Sequence, residues 1–327
     1  MPFVSYLLSR IAHALATLLG VSLLIFIALR LLPGGFAEIL LGPFTSSDAR
    51  KFVVEQYGLE RSEFTQYFAW LYALIHGDFG TSLVSRSSIG AELLRRAPVT
   101  IELAVLSTTI SLLIGLPLGV LSGIRETGRG IRLLGRLVGA LGTGTPEFVL
   151  GCALLYLLSG WSLGFSERGF VSLFDSPAEN LSAMIVPAAS LSMFGIALIV
   201  RTTRDAVQRV LTEGHIVTAV ARGDGPADIV MHHVLRNTAI PVLTVSATFL
   251  GYLLGGAVIV EVLFSIPGVG LYVYNALNNR DYGVVQAGVM ISAAVFICIN
   301  TLVDILYAFI DPRITRTVAL EWPGRKR

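Results

Sequence analysis

Glu147 is the carboxylate whose surroundings most invite a chemical reading. It follows Pro146 and the Gly142-Thr143-Gly144-Thr145 stretch inside the apolar run 133–158, whose other charge is Arg136. Eleven helical residues at about 1.5 Å each would put it roughly 16 Å beyond Arg136, near the middle of a bilayer. An ionisable group at that depth must face protein or water, not lipid. It reads either as a pathway-lining carboxylate that could meet a cation or as a structural hydrogen-bond partner. Glu102 and Asp304 sit near the ends of apolar runs and read as pairing or interface charges, and Glu261 opens the segment after another run.

The other reactive residue types do not cluster. The histidines are His13, His76, His215, His232 and His233. Adjacent helical residues such as His232 and His233 point in different directions, and no cysteine or carboxylate group joins them. Cys152 and Cys298 both lie in apolar runs and read as small core residues, not as a disulfide or metal pair. No site residue is therefore assigned to catalysis, to a cofactor or to a metal. There is no Gly-x-x-x-x-Gly-Lys-[Ser/Thr] phosphate loop, so this chain does not cradle ATP in the P-loop manner.

The elements that must position these residues follow from composition. The chain is 54% hydrophobic and 14% charged, with mean hydropathy +0.74. A soluble domain carries roughly 25% charged residues. That shortage excludes a soluble enzyme and a disordered chain, and a net charge of +2 offers no field for nucleic acid. Spans of about 20 apolar residues fall at 11–32, 103–124, 133–158, 180–200, 237–260 and 282–303. The reading is an all-α polytopic membrane protein with six transmembrane helices, and the first run is a retained span, too long for a signal-peptide core.

Arginine sets the direction. With the N-terminus inside, the inner segments hold Arg10; Arg125, Arg129, Arg132 and Arg136; Arg201, Arg204, Arg209, Arg222 and Arg236; and five basic residues from Arg313 to Arg327. The two short outer loops hold only Arg168 and Arg280. The positive-inside rule then puts both termini in the cytoplasm of a plasma (inner) membrane. The organisation expected is an N-terminus and first span (1–32), an external helical segment (33–98), a permease-like core (99–310) and a cytoplasmic tail (311–327). Within the external segment, 48–57 and 63–76 show helical spacing and are expected to lie as short amphipathic helices over the outer mouth.

The cytoplasmic loop 201–236 is the most informative segment. Its arginines are balanced by Asp205, Glu213, Asp224 and Asp228, and glycines divide it into short helical pieces. The middle piece, His215–Arg222, is apolar for a cytoplasmic loop and carries the small residues Ala219 and Ala221. From composition alone it reads equally as an interfacial helix resting on lipid headgroups or as a protein-docking element.

Thr218-Ala219-Val220-Ala221-Arg222-Gly223, followed by His233-Val234-Leu235-Arg236-Asn237 and Ile240-Pro241, resembles the cytoplasmic signature loop of ABC-importer permeases of the dipeptide/oligopeptide/nickel branch. Further similar motifs run in order along the chain: Leu31-Leu32-Pro33-Gly34, Gly77-Asp78-Phe79-Gly80, Pro98-Val99-Thr100-Ile101-Glu102-Leu103-Ala104, Glu261 to Gly270, Arg280-Asp281-Tyr282, Val303 to Tyr307 and Asp311-Pro312-Arg313. Gly35 and Val220 depart from the common pattern, and Asp224-Gly225-Pro226 is more broken than usual.

The resemblance implies a non-catalytic transport subunit of a binding-protein-dependent importer, for di- or oligopeptides or, with the same machinery, nickel chelates, glutathione or other small cargo. It implies four partners: a second, homologous permease, two cytoplasmic ATPases that bind ATP and Mg, and an external substrate-binding protein. Val217, Thr218, Ala219, Arg222, Gly223 and Asp224 would form the ATPase-coupling loop. Glu147 and Glu261 would lie on the translocation pathway, Glu261 within an outer-gate motif. A secondary transporter or channel, which holds its ion site at the midplane between repeats, is a distant alternative.

Overall fold

Three glycines one turn apart shape the most extensive helix contact among the described residues. A computed structural model describes residues 2–31, 51, 61–124, 127–159 and 170–310. In it the long helices Ile89–Gly123 (α3) and Pro177–Val210 (α6) run side by side in the same direction. A Cβ added at Gly115, Gly119 or Gly123 would lie 3.0, 2.6 or 2.8 Å from the Cβ of Ile199, Thr203 or Val207 respectively. Small residues at that spacing let two backbones approach closely, which is how helices gain packing energy where lipid supplies no hydrophobic drive.

The remaining elements are α1 (Pro2–Arg30), α2 (Glu63–Ile75), α4 (Arg129–Gly144), α5 (Glu147–Ser159), α7 (Gly214–Ala221), α8 (Leu235–Gly256), α9 (Val258–Leu263), α10 (Val269–Asn278) and α11 (Tyr282–Ile310). A π-helical segment, Ile229–Val234, leads into α8, so helix continues from Pro226 to Gly256. Five stretches are long and apolar enough to cross a membrane, and α4 with α5 forms a sixth that is bent by 104°.

Contacts between helix ends fix the threading. Leu29 at the end of α1 packs with Ile89 at the start of α3 and Tyr282 at the start of α11. Arg10, near the start of α1, forms an ion pair of 3.1 Å with Asp304 near the end of α11. Val120, Val207 and Val210 at the ends of α3 and α6 gather round α7. Because α3 and α6 are parallel, the bent α4–α5 pair must return the chain between them. The six crossings therefore alternate, and the two termini of the bundle share one side. Among the described residues the architecture is helical, with five spans and a sixth where the bent pair counts as one, in line with the composition.

Three expectations need correction. The run 133–158 is not one straight helix, because Thr145-Pro146 interrupts it, so the depth of Glu147 cannot be counted from Arg136 along one axis. Helix α2 does not lie over a mouth but packs along α1, with Tyr67 and Trp70 against Phe26. Cys152 and Cys298 are exposed and not core residues, since apolar runs turn outward when the solvent is lipid. The helical reading of 48–57 (Lys51 apart), the Pro33-Gly34-Gly35 motif, Arg125, Arg168 and the tail 311–327 lie outside the described residues.

Candidate coupling loop and pathway residues

Eight residues form α7, and their period decides which of them meets the protein. Ile216 and Ala219, three apart, are buried at 5% and 4% exposure among Val120, Val207, Val210, Ile229 and Val234. Val217 and Val220 point away and are 67% and 58% exposed. Thr218 is exposed and donates to the Gly214 carbonyl at 3.2 Å. The small side chain of Ala219 therefore serves close packing on the chain's own spans and does not face outward as expected for a docking residue. The outward apolar face belongs to Val217 and Val220, with Met231 of the π segment also exposed.

Gly223 ends α7 with φ of 89°, the left-handed conformation that glycine adopts without a side-chain clash. Its N–H reaches the Val220 carbonyl at 3.0 Å, and the Asp224 N–H reaches that of Ala219 at 3.2 Å, which closes the helix end. Arg222 and Asp224 are exposed beside it. Asp224 lies 3.9 Å from His233, and His215 is paired with Glu213 at 3.2 Å. Among the described residues no group of three or more His, Cys, Asp or Glu is arranged to hold a metal.

Glu147 opens α5 directly after the break, half-buried, and accepts a hydrogen bond of 3.4 Å from the Tyr252 hydroxyl. Tyr252 packs on Phe194 and forms part of the wall of a cavity of about 390 Å³. Gly255, Gly256, Gly270, Gly288 and Phe296 complete much of that wall. Glu147 is thus one side chain removed from the cavity, on the far side of Tyr252.

Glu261 lies elsewhere and is fully buried, at 0% exposure. One carboxylate oxygen accepts from Thr100 Oγ1 at 2.7 Å and the other from the Leu271 N–H at 2.9 Å. Thr100 in turn accepts from the Val269 N–H at 2.9 Å. The carboxylate therefore caps the N-terminus of α10, where free N–H groups and the helix dipole favour an anion. Gly268 and Gly270 are needed for it, since a Cβ on either would meet the carboxylate. Burial pushes the Glu261 carboxyl above the ordinary range, opposed by these hydrogen bonds and by the Arg96 charge. A group so enclosed faces no lumen; Glu261 lies behind the cavity wall, against Gly270.

Of the other acids singled out from the sequence, Asp304 holds Arg10, and Glu102 lies beside Asn180. The sequence reading passed over two contributors. Thr100 ties two of the motifs together, and Asp281 accepts a 2.5 Å hydrogen bond from Ser82, which ties the Arg280-Asp281-Tyr282 motif to the turn before α3. Both lay inside quoted motifs, but their cross-chain partners have no local signal.

Residues 3–112 match the N-terminal family of binding-protein-dependent transport system membrane components, and residues 115–316 match the binding-protein-dependent transport system inner membrane component family. The chain belongs to this family. Among its relatives is the "probable peptide ABC transporter permease protein y4tP" of Sinorhizobium fredii, 34% identical over 94% of this chain and 98% of that protein. The dipeptide transport system permease protein DppB of Alkalihalophilus pseudofirmus is 32% identical over 95% and 99%. The glutathione transport system permease protein GsiC of Salmonella paratyphi A is 33% identical over 95% and 98%.

Proposed function

We propose that this chain is the permease subunit of an ATP-driven importer of di- or oligopeptides in a bacterial inner membrane, and forms half of the translocation pathway. The names of its relatives support the cargo class. The termini and α7 face the cytoplasm, in keeping with the arginines gathered on that side. Val217 and Val220, with Arg222, Gly223 and Asp224 at the helix end, dock a cytoplasmic ATPase that binds ATP and Mg. Thr218 flanks the contact, and Ala219 transmits it.

The observation that carries this reading is the two-faced α7. One face packs with the π segment and with Val120, Val207 and Val210 at the ends of α3 and α6, and the other presents valines that a partner would cover. Movement of the ATPase would pass through the π segment into α8 and to the ends of α3 and α6. Glu147 and Tyr252 border the pathway, while Glu261 holds the gate motif in place from behind. A second permease and an external substrate-binding protein complete the assembly, and catalysis resides in the ATPases.

Mild-detergent purification of the tagged chain with mass spectrometry of its companions tests the assembly. A second six-span permease and ATPase subunits are expected. Recovery of the chain alone, transporting cargo on an ion gradient, would overturn the proposal in favour of a secondary transporter.

A further inference from the structure

Helix α2 shows four large apolar side chains along one line: Phe64, Phe68, Tyr72 and Ile75, from 62% to 80% exposed. Its other side is fastened to α1, through Tyr67 Oη and Ser22 Oγ at 2.8 Å and through Arg30, which donates to Gln66 Oε1 at 2.5 Å. Between the two helices lies a groove of about 540 Å³. Leu19, Gly20, Leu23 and Ile27 form its α1 wall, and Phe64 and Phe68 stand opposite.

We propose that this groove seats one acyl chain of a phospholipid with a zwitterionic, amine-bearing headgroup, in the leaflet at the Arg30 end of α1. Three observations carry this. The groove is continuous with the exposed apolar surface of α1, whose most apolar stretch is only 11% buried within the chain. Its α1 wall runs from Leu19 to Ile27, and eight residues at about 1.5 Å each span roughly 12 Å, most of one leaflet of a hydrocarbon core of about 30 Å. At its headgroup end stand one cation and one anion, Arg30 and Glu63, near enough for their charges to interact. Arg30 suits a phosphate, and Glu63 suits an ammonium.

Gly20 is the point of control. A Cβ there would meet nothing within 4 Å, so a side chain added at that position projects into the open groove without disturbing a neighbour.

Trp70, stacked on Phe26 with ring centroids 6.2 Å apart, is a built-in reporter. With Trp161→Phe and Trp322→Phe it becomes the only tryptophan of the full chain. The experiment titrates this chain, purified in mild detergent with its co-purifying subunits freed of tryptophan, with phosphatidylethanolamine brominated part-way down one acyl chain. Saturable quenching at about one lipid per chain is expected, with at least tenfold weaker quenching by the phosphatidylglycerol counterpart. Gly20→Phe should remove the saturable phase, and Glu63→Gln should erase the headgroup preference while leaving quenching. Quenching that rises linearly with lipid, with no plateau, would mean passing annular lipid only and would overturn the site. No quenching in detergent or in vesicles would mean that protein fills the groove, and would overturn it equally.

Discussion

Replacing Val217 and Val220 together by alanine tests the outward face of α7 without touching its inward one. The two valines are 67% and 58% exposed, so a partner has more than half of each side chain to cover. Each substitution removes two methyl-sized groups worth about 0.8 kcal/mol apiece when fully buried, or about 1 kcal/mol per valine at this coverage. The pair should therefore cost about 2 kcal/mol, which is roughly a 30-fold weaker hold on the ATPase. The comparison variant is Ile216→Ala, whose side chain is only 5% exposed and packs inside the chain. It should cost about 2–5 kcal/mol of folding stability while the folded fraction binds the ATPase normally. The assay is equilibrium binding of the purified ATPase subunit to the membrane-inserted chain, with thermal stability measured alongside. Wild-type affinity in a correctly inserted Val217→Ala/Val220→Ala chain would refute the docking role of this face.

Gly119→Val should force apart α3 and α6, because a Cβ there already falls 2.6 Å from the Thr203 Cβ. Overpacking of this kind costs about 1–3 kcal/mol, to be read as a lower yield of folded chain with unchanged insertion. Glu261→Gln should cost about 1–3 kcal/mol, since an amide cannot accept at both oxygens from Thr100 and the Leu271 N–H. Burial raises the Glu261 carboxyl, so the folded state holds its proton more tightly than the unfolded one. Stability should then fall as pH rises from the ordinary carboxylate range through the raised value, and Glu261→Gln should flatten that slope in thermal melts taken across pH. Glu147→Gln and Tyr252→Phe should each lower peptide transport several-fold while the assembled complex is recovered in full. Loss of assembly would instead make the pair structural.

Composition and spacing made the membrane spans legible because a bilayer demands long apolar helices of nearly fixed length. The arginine pattern, the apolar loop helix and the turn at Gly223 were legible for similar local reasons. The break at Thr145-Pro146 was visible as a Gly/Pro-rich stretch, but its angle depends on how α5 packs against α6 and α9. Which way Ala219 faces depended on the register of an eight-residue helix against α3 and α6, which no local rule supplies. Gly115, Gly119 and Gly123 spell a small-residue stripe in the sequence, yet their partners Ile199, Thr203 and Val207 are identified only by the packing. Glu261 is the sharpest case. A carboxylate in a gate-like motif invites a pathway role, whereas its partners Thr100 and Leu271 show that it holds the start of α10 against α3.

Peptide uptake into vesicles carrying the complete purified complex tests the central claim most directly. With the substrate-binding protein outside and ATP with Mg inside, accumulation against a gradient is expected. It should stop when ATP is replaced by a non-hydrolysable analogue, and it should fall sharply with Val217→Ala/Val220→Ala. Accumulation driven by an ion gradient alone, indifferent to ATP hydrolysis, would contradict the account.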